Sequence, residues 1–412
     1  MIADSLNRTR FESSGGDNEE TNGKKAWIPT LIIFVMVIVP FFAVLNGDLF
    51  DIYFYQGYGF LLNCIGIVFS ILSFILQQGF RVQGSCFRML IYMVFTLLYC
   101  AFSALVAHSG LRYIGVVLNT MGTVVLLSYC KISKNMVSII SLCLAISALY
   151  CVVTVKGYYN TQISGDSVNS NYLALFGVVI MVYGNIFLSY FTKNKNRFNE
   201  MIRFLICAVS FYVIWECKSR GAFLAWLFFI ISVYVLPAKW FRNKRTITVM
   251  AFVIAVIGVL FTYLYVTRIS MTIGTFMGKS TATRMRLWSY FWNIISENPL
   301  NMIFGYGTHS ELREVFGYGL HNIYIGIWYD VGLIGLLIFV FFIIMTLREA
   351  FNEQGEVSDT QIYAIIGFLS FMISDFFAIT FTGPLVIWNY MLLGMVNRYK
   401  LDESKIILRW KK

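Results

Sequence analysis

The sequence predicts an all-α polytopic membrane protein with about twelve transmembrane helices, and three observations carry that prediction. Apolar runs of about 20 residues recur from one end of the chain to the other, long enough to cross a hydrocarbon core of about 30 Å. Hydrophobic residues make up 58% of the 412 and charged residues 13%, where soluble domains hold about half and about a quarter. The 32 lysines and arginines are unevenly shared: more than two thirds fall on the alternate segments that one side of a membrane would hold. The short alternating segments of a β-barrel are not present.

Taken in order, the first 25 residues, with ESSGGDNEE, are polar and expected to form a disordered cytoplasmic tail. Residues 26–397 read as one transmembrane domain, with spans at 26–45, 58–77, 88–108, 111–129, 135–155, 171–192, 201–216, 220–236, 246–266, 323–347, 361–380 and 383–397. The first span lacks a small-x-small cleavage site after a short apolar core, so it is expected to stay as an uncleaved helix. The tenth is overlong, and its first turns, up to about Gly332, are expected at the surface before the crossing begins. With the amino terminus inside, FTKNKNRFNE, PAKWFRNKRT and the tail ILRWKK face the cytoplasm. The positive-inside rule then places both termini there, with 398–412 as a basic cytoplasmic tail. The net charge of +11 is read as a topology signal suited to anionic inner-leaflet lipids. Scattered over loops, it makes a poor nucleic-acid surface. The eight cysteines show no metal-ligand spacing and fit apolar packing.

One connection is far longer than the rest, an outer loop from about 267 to 322. A loop of that length in a tightly connected chain is usually functional. Within it, STATRMRLWSYFWNIISENP predicts a helix lying on the membrane. Trp288, Phe291, Trp292 and Ile295 fall on one face, with Arg286, Tyr290, Asn293 and Glu297 on the other. Tryptophans on the buried face suit the interfacial zone. Ser280 or Thr281 stands where a cap belongs, and Pro299 limits continuation. Arg284 heads the apolar stripe, one turn before Trp288. A cation there opposes the helix dipole, which makes sense when an anion is held by the guanidinium and the free amides together. Snorkelling is the plainer account, and the better one for Arg286 on the wet face.

Three further groups are candidates. Arg220 opens the eighth span in ECKSRGAF, on the side where positive charge is scarce. Asp375 lies within the eleventh span, where an unpaired carboxylate costs about 2.5–3.5 kcal/mol, so it is expected to pair or to line a polar cavity. His321 stands at the joint of the long loop and the tenth span, in GYGLHNIYIGIWYDVGLIG. An imidazole with an ordinary pKa near 6.5 can take a proton at neutral pH; helix capping is the structural alternative. His309, in the same loop, has a weaker claim. Gly305, Gly307, Gly317 and Gly319 allow close backbone approach.

Four stretches, in this order, resemble the O-antigen ligase/polymerase superfamily of integral-membrane transferases. NSNYLALFGVV is similar to its Asn-x-Asn span opening, giving Asn171, and SRGAFLAWLFF to its Ser-Arg-Gly span start, giving Arg220. RMRLWSYFWNIISENPLNMIFGYG is similar to its Arg-x-x-x-Trp, Pro and Gly-x-Gly loop, giving Arg284, Pro299, Gly305 and Gly307. LHNIYIGIWYDVGLIGLL is similar to its His-Asn loop end, giving His321 and Asn322. The spacing between Pro299 and Gly305 is longer than is common. The resemblance covers about residues 165–345 and implies a GT-C-like helical fold in a bacterial inner membrane. It implies outer-face (periplasmic) transfer of a glycan from a polyprenyl-diphosphate-linked oligosaccharide, with no cofactor and no required metal. The few outer carboxylates form no Asp-x-Asp pair. By the same resemblance Arg220 and Arg284 bind diphosphate and His321 acts as base, with Asn171 and Asn322 secondary; Arg286, Asp375 and His309 are secondary candidates from their positions alone. The acceptor is another lipid-linked repeat unit for a polymerase, with a chain-length regulator as a further partner, or a lipid A core for a ligase. A polysaccharide transporter or flippase is the alternative from another class, weakened by the absence of internal repeats.

Overall fold

A helix satisfies its own backbone, which is what an apolar run needs where no water can reach. All regular structure among the described residues is helical. The structure, a computed structural model, describes residues 58–77, 84–107, 112–129, 134–154, 170–191, 197–269, 282–307, 320–349, 351, 357–377 and 386–398, with isolated helical positions between 31 and 43. The amino-terminal tail, most of the first predicted span, residues 308–319 with His309, Gly317 and Gly319, and residues 399–412 of the basic tail lie outside these.

Fourteen helical elements follow. They are α1 (Tyr58–Gln77), α2 (Gly84–Val106), α3 (Arg112–Val117, a π-helical turn Leu118–Gly122, then Thr123–Tyr129), α4 (Lys134–Thr154) and α5 (Ser170–Phe191). Next come α6 (Arg197–Glu216), α7 (Arg220–Ile230, with a π-helical turn Ile231–Val235), the short α8 (Ala238–Phe241) and α9 (Lys244–Leu264, with a π-helical turn Tyr265–Ile269). The last are α10 (Ala282–Glu297), α11 (Pro299–Phe304), α12 (Ile323–Glu349), α13 (Asp359–Ser374) and α14 (Val386–Arg398). Six of them, α2, α4, α5, α6, α9 and α12, are long and apolar enough to cross a membrane, and α1, α3, α7 and α13 are shorter apolar helices. The chain is thus a polytopic helical membrane protein, and each span predicted after the first has a helix at its place.

The core is built around α5 and α13, which are buried along almost their whole length. They pack on each other and on α7. Outward faces of α2, α6 and α9 carry exposed Phe, Leu, Val and Tyr, as a lipid solvent permits. Several buried hydroxyls in the helices bond back to the preceding turn, as Ser70 does to Gly66, Ser141 to Val137 and Ser370 to Ile366, each at 2.8 Å. No hydroxyl among these is left to face hydrocarbon.

Two details depart from the sequence reading. The tenth span is broken at Gly332, whose φ of 75° and ψ of 176° lie outside the helical region. The break falls where the crossing was expected to begin, yet the residues before it are not at the surface. Ile323, Tyr324, Ile325 and Ile327 are buried inside the protein. The break frees carbonyls, and other segments take them up: Tyr306 and Gly307 amides donate to Tyr329 and Asp330 at 2.7 and 3.0 Å, and the Tyr99 hydroxyl donates to Val331 at 2.8 Å. A Cβ on Gly332 would stand 2.0 Å from the Ile303 carbonyl oxygen, so only glycine allows this backbone contact. The eleventh span also ends early. α13 stops at Ser374 and Asp375 is its C-terminal cap rather than a residue inside the helix. Phe376 and Phe377 continue the apolar run although the backbone has left the helix.

Candidate active site

α7, α10, the segment before α12 and the end of α13 meet at one end of the bundle. Arg220 is the first residue of α7 and is 6% exposed. Ser219 before it has extended backbone and makes no side-chain capping bond. Gly221 lets the helix start close on α13. A Cβ there would stand 2.5 Å from the Ser374 carbonyl oxygen and 3.2 Å from Phe377 Cβ.

α10 buries Leu287, Trp288, Phe291 and Ile295 and exposes Arg286, Asn293 and Glu297, the division of faces that the periodicity predicts. The buried stripe, however, packs against protein and not lipid. Trp288 meets Phe261 and Tyr265 of α9 edge-on, at 6.1 and 5.1 Å between centroids, and Phe291 meets Trp328 of α12 at 5.8 Å. Apolar aromatics read the same in either setting. Pro299, where α10 was expected to stop, is the first residue of α11, capped by Asn298. Arg284 lies in the first turn of α10. Its Nη2 donates to the Phe377 carbonyl at 3.2 Å, and its guanidinium carbon sits 5.2 Å from the centre of the Phe377 ring. Burial, then the nearby charge of Arg220, lowers its pKa to about 10, against an opposing effect of Tyr265. It stays a cation at neutral pH.

His321 has a φ of 50°, the left-handed region, which costs a side-chain-bearing residue about 1–2 kcal/mol. The loop around it is fixed on both sides. The Trp288 indole donates to the Leu320 carbonyl at 2.7 Å. Asn322, fully buried, uses its carboxamide four times. Its nitrogen donates to the carbonyls of Gly258 and Phe376, both at 3.1 Å. Its oxygen accepts from the Tyr324 and Ile325 amides at 2.9 and 3.2 Å, capping α12. Burial, then the Arg284 charge, pushes the His321 imidazole down to about 4. The ring is neutral at pH 7.

The structure therefore brings Arg220, Arg284 and His321 within electrostatic range, in a chain of neighbours with Arg284 in the middle. What ties α10 and the start of α12 to this end of the bundle is a feature the sequence does not advertise. Three successive carbonyls at the end of α13 accept in turn: Asp375 from the Ile323 amide at 3.1 Å, Phe376 from Asn322 and Phe377 from Arg284. Backbone carbonyls have no residue signature, so no motif could have found this. The Asp375 carboxyl is fully buried. Arg286 is exposed, and Asn171 lies in the first turn of α5. His309 is outside the described residues.

An all-helical membrane protein with two guanidinium groups and a neutral imidazole gathered at one end of its bundle is the class that fold and site define. Residues 204–340 match the model of a family described as O-antigen ligase. The match supports placing that segment in the O-antigen ligase/polymerase superfamily, whose members are glycosyltransferase-like membrane enzymes. It runs from α6 into α12 and holds Arg220, Arg284, His321 and Asn322; the carbonyls at the end of α13 lie beyond it. A comparison with curated proteins gave no match.

Proposed function

We propose that this chain moves an oligosaccharide from a polyprenyl-diphosphate donor to another lipid-linked repeat unit, polymerising O-antigen or capsular glycan on the outer face of a bacterial inner membrane. The observation that carries the reading is the placement of Arg220 and Arg284, each in the first turn of a helix and in electrostatic range of one another. Each position opposes a helix dipole by about 0.3–1 kcal/mol, and the two charges repel. An anion between them adds attraction to both guanidinium groups and to both helix starts, which offsets all three costs. Two planar forks offer donors to several phosphate oxygens at once, which suits a diphosphate. The first-turn amides of α7, which the Ser219 side chain does not cap, add to the positive field.

In this reaction an acceptor hydroxyl oxygen bonds to the anomeric carbon of the donor sugar as that carbon's bond to the diphosphate oxygen breaks. The electron pair leaves with the polyprenyl diphosphate, and the two guanidinium groups stabilise the developing charge. Neutral His321 receives the hydroxyl proton, a contribution of about 10²–10⁴ in rate. No metal enters the scheme, because the arginines supply the charge. The loop charge bias supports the outward placement and a cytoplasmic location for both termini; the apolar runs suggest about twelve spans, and the family resemblance a GT-C-like arrangement.

Arg220→Ala, Arg284→Ala and His321→Ala, made singly, test the reading. Each is expected to lower glycan transfer at least about 100-fold at matched protein level. Arg284→Lys, which keeps the charge and loses the fork, is expected to fall between. Wild-type glycan chains from all three alanine variants would exclude the mechanism. The family description favours a second acceptor, a lipid A core. Deletion separates the two: single-repeat capped products mean a polymerase, and full chains stranded on the carrier mean a ligase.

A further inference from the structure

The strongest observation that the transfer mechanism leaves unused is the short hook that ends α13. We infer that Phe377 is a positioning residue that sets the Arg284 guanidinium against the Arg220 helix start, and so fixes the pair that a diphosphate would bridge. The inference rests on the diphosphate reading above.

The geometry carries it in three ways. First, among the described residues the hydrogen-bond partner of Arg284 is the Phe377 carbonyl, and the same residue's ring lies 5.2 Å below the guanidinium. Its nearby charges are Arg220 and the weakly acidic Tyr265. One residue thus holds the cation by an acceptor and by a π face, without a carboxylate that would neutralise it. Second, Phe377 touches the mount of the other arginine. Gly221, next to Arg220, is packed so closely that its Cβ would stand 3.2 Å from Phe377 Cβ. Third, the ring is itself locked. It is 8% exposed, meets Phe261 edge-on at 5.2 Å between centroids, and lies tilted at 6.2 Å from Trp288. A ring that only filled the core would need neither the guanidinium nor the helix start beside it. Phe377 stands 37 positions beyond the family segment, which ends at residue 340, so the element that spaces the two arginines is contributed from outside that segment.

The test is binding of farnesyl diphosphate to the purified full chain in lipid nanodiscs, by titration calorimetry, with farnesol as the uncharged control. Phe377→Leu keeps apolar volume and removes the π face. It is expected to weaken farnesyl diphosphate about twofold to thirtyfold, the range a partly desolvated cation–π contact spans, and to leave farnesol unchanged. Phe377→Tyr restores a ring and is expected to bind within about twofold of the parent. Phe377→Met serves as a second ringless variant should Phe377→Leu not fold. Parent-like binding by the ringless variants overturns the inference, and so does a Phe377→Tyr variant as weak as they are. Arg284→Ala is run alongside. If it loses binding while Phe377→Leu does not, only the positioning role fails. If Arg284→Ala binds as the parent does, the diphosphate reading fails and this inference with it.

Discussion

α13 has two ends, and they treat cations in opposite ways. At its start, Arg242 donates to the Asp359 carboxylate at 3.0 Å, with both side chains largely in solvent. Nearby on α6, Arg203 has Glu200 at 3.9 Å and the Tyr363 ring at 4.6 Å. The helix start itself is closed by a capping box between Ser358 and Gln361. About 24 Å away, at 1.5 Å per residue, the other end gives Arg284 a carbonyl, an aromatic face and a second arginine for company. A cation supplied with a carboxylate has its charge answered within the protein and can only hold elements together. One set beside another cation keeps its field directed outward, at an electrostatic disadvantage that an anionic ligand removes. The difference separates Arg203 and Arg242, which have carboxylate partners, from Arg284, which rests on a carbonyl and a ring.

The change expected to disturb the site end most is at His321. Its left-handed backbone suits Asn or Gly better than His, so His321→Asn is expected to lower transfer by about 10²–10⁴ with no loss of thermal stability. Such a result marks strain retained for chemistry. The pH dependence has a definite sign. A base must be neutral to act, and the ring in the unoccupied protein is held down to about 4. The acid limb of kcat/KM is therefore expected near pH 4 and not near 6.5. Bound diphosphate offsets the Arg284 charge, so the limb of kcat is expected at higher pH than that of kcat/KM. Folding shows the same shift. The unfolded chain takes the proton near 6.5 and the folded one near 4, so stability declines as pH falls between these values. His321→Asn lacks that contribution. An acid limb at 6.5 in both profiles would contradict the assigned base.

How much of this was legible in the sequence depends on what carries the information. Lipid-length apolar runs located the helices, and rare groups, Arg220 and His321 at span ends and Arg284 on the loop helix, pointed to the candidate site. Gly332, a glycine inside an apolar run, marked the break in α12. Burial was harder to read. The turn Ile323–Val331 and the stripe of α10 look the same whether they face lipid or protein, and both proved to face protein. Asp375 was placed inside a helix because hydropathy continues through Phe376 and Phe377, whereas the hydrogen bonding of α13 stops at Ser374. The convergence itself was out of reach. It depends on carbonyls of residues 375–377 meeting a backbone amide and two side chains about 50 and 90 positions earlier, long-range contacts with no local signature.

A smaller effect is expected at Asn322, which acts through its neighbour. Asn322→Asp keeps the oxygen that caps α12 and loses the two donations to Gly258 and Phe376. The His321 loop then loses its tie to α9 and one of its ties to α13 while the helix stays capped. Transfer is expected to fall by about 10-fold to 100-fold, the scale of an ångström of misplacement. The loss should appear in kcat, with donor KM within about twofold, because Arg284 rests on Phe377 and not on Asn322. A rise in KM of the same size as the fall in kcat would mean that the carboxamide serves donor binding or the general fold instead.

The smallest effect belongs to the far end. Arg242→Ala and Asp359→Asn each remove an ion pair whose side chains are 43% and 67% exposed. Exposed pairs contribute about 0.2–1 kcal/mol, and α13 keeps other ties there: Ser189 to Thr360 at 2.8 Å and Gln361 to the Val396 carbonyl at 2.9 Å. Either variant is expected to transfer glycan at the parent rate, with thermal stability lowered by a few degrees at most. The double variant should equal the more affected single one, since both delete the same contact. A large loss of transfer from either would mean that α13 conveys the state of its first turn to the hook at its last. The contrast between the ends would then be one of coupling and not of separate roles. Calorimetric binding of farnesyl diphosphate to Arg242→Ala distinguishes the two: parent affinity leaves the site end independent, and weakened affinity makes the helix a lever.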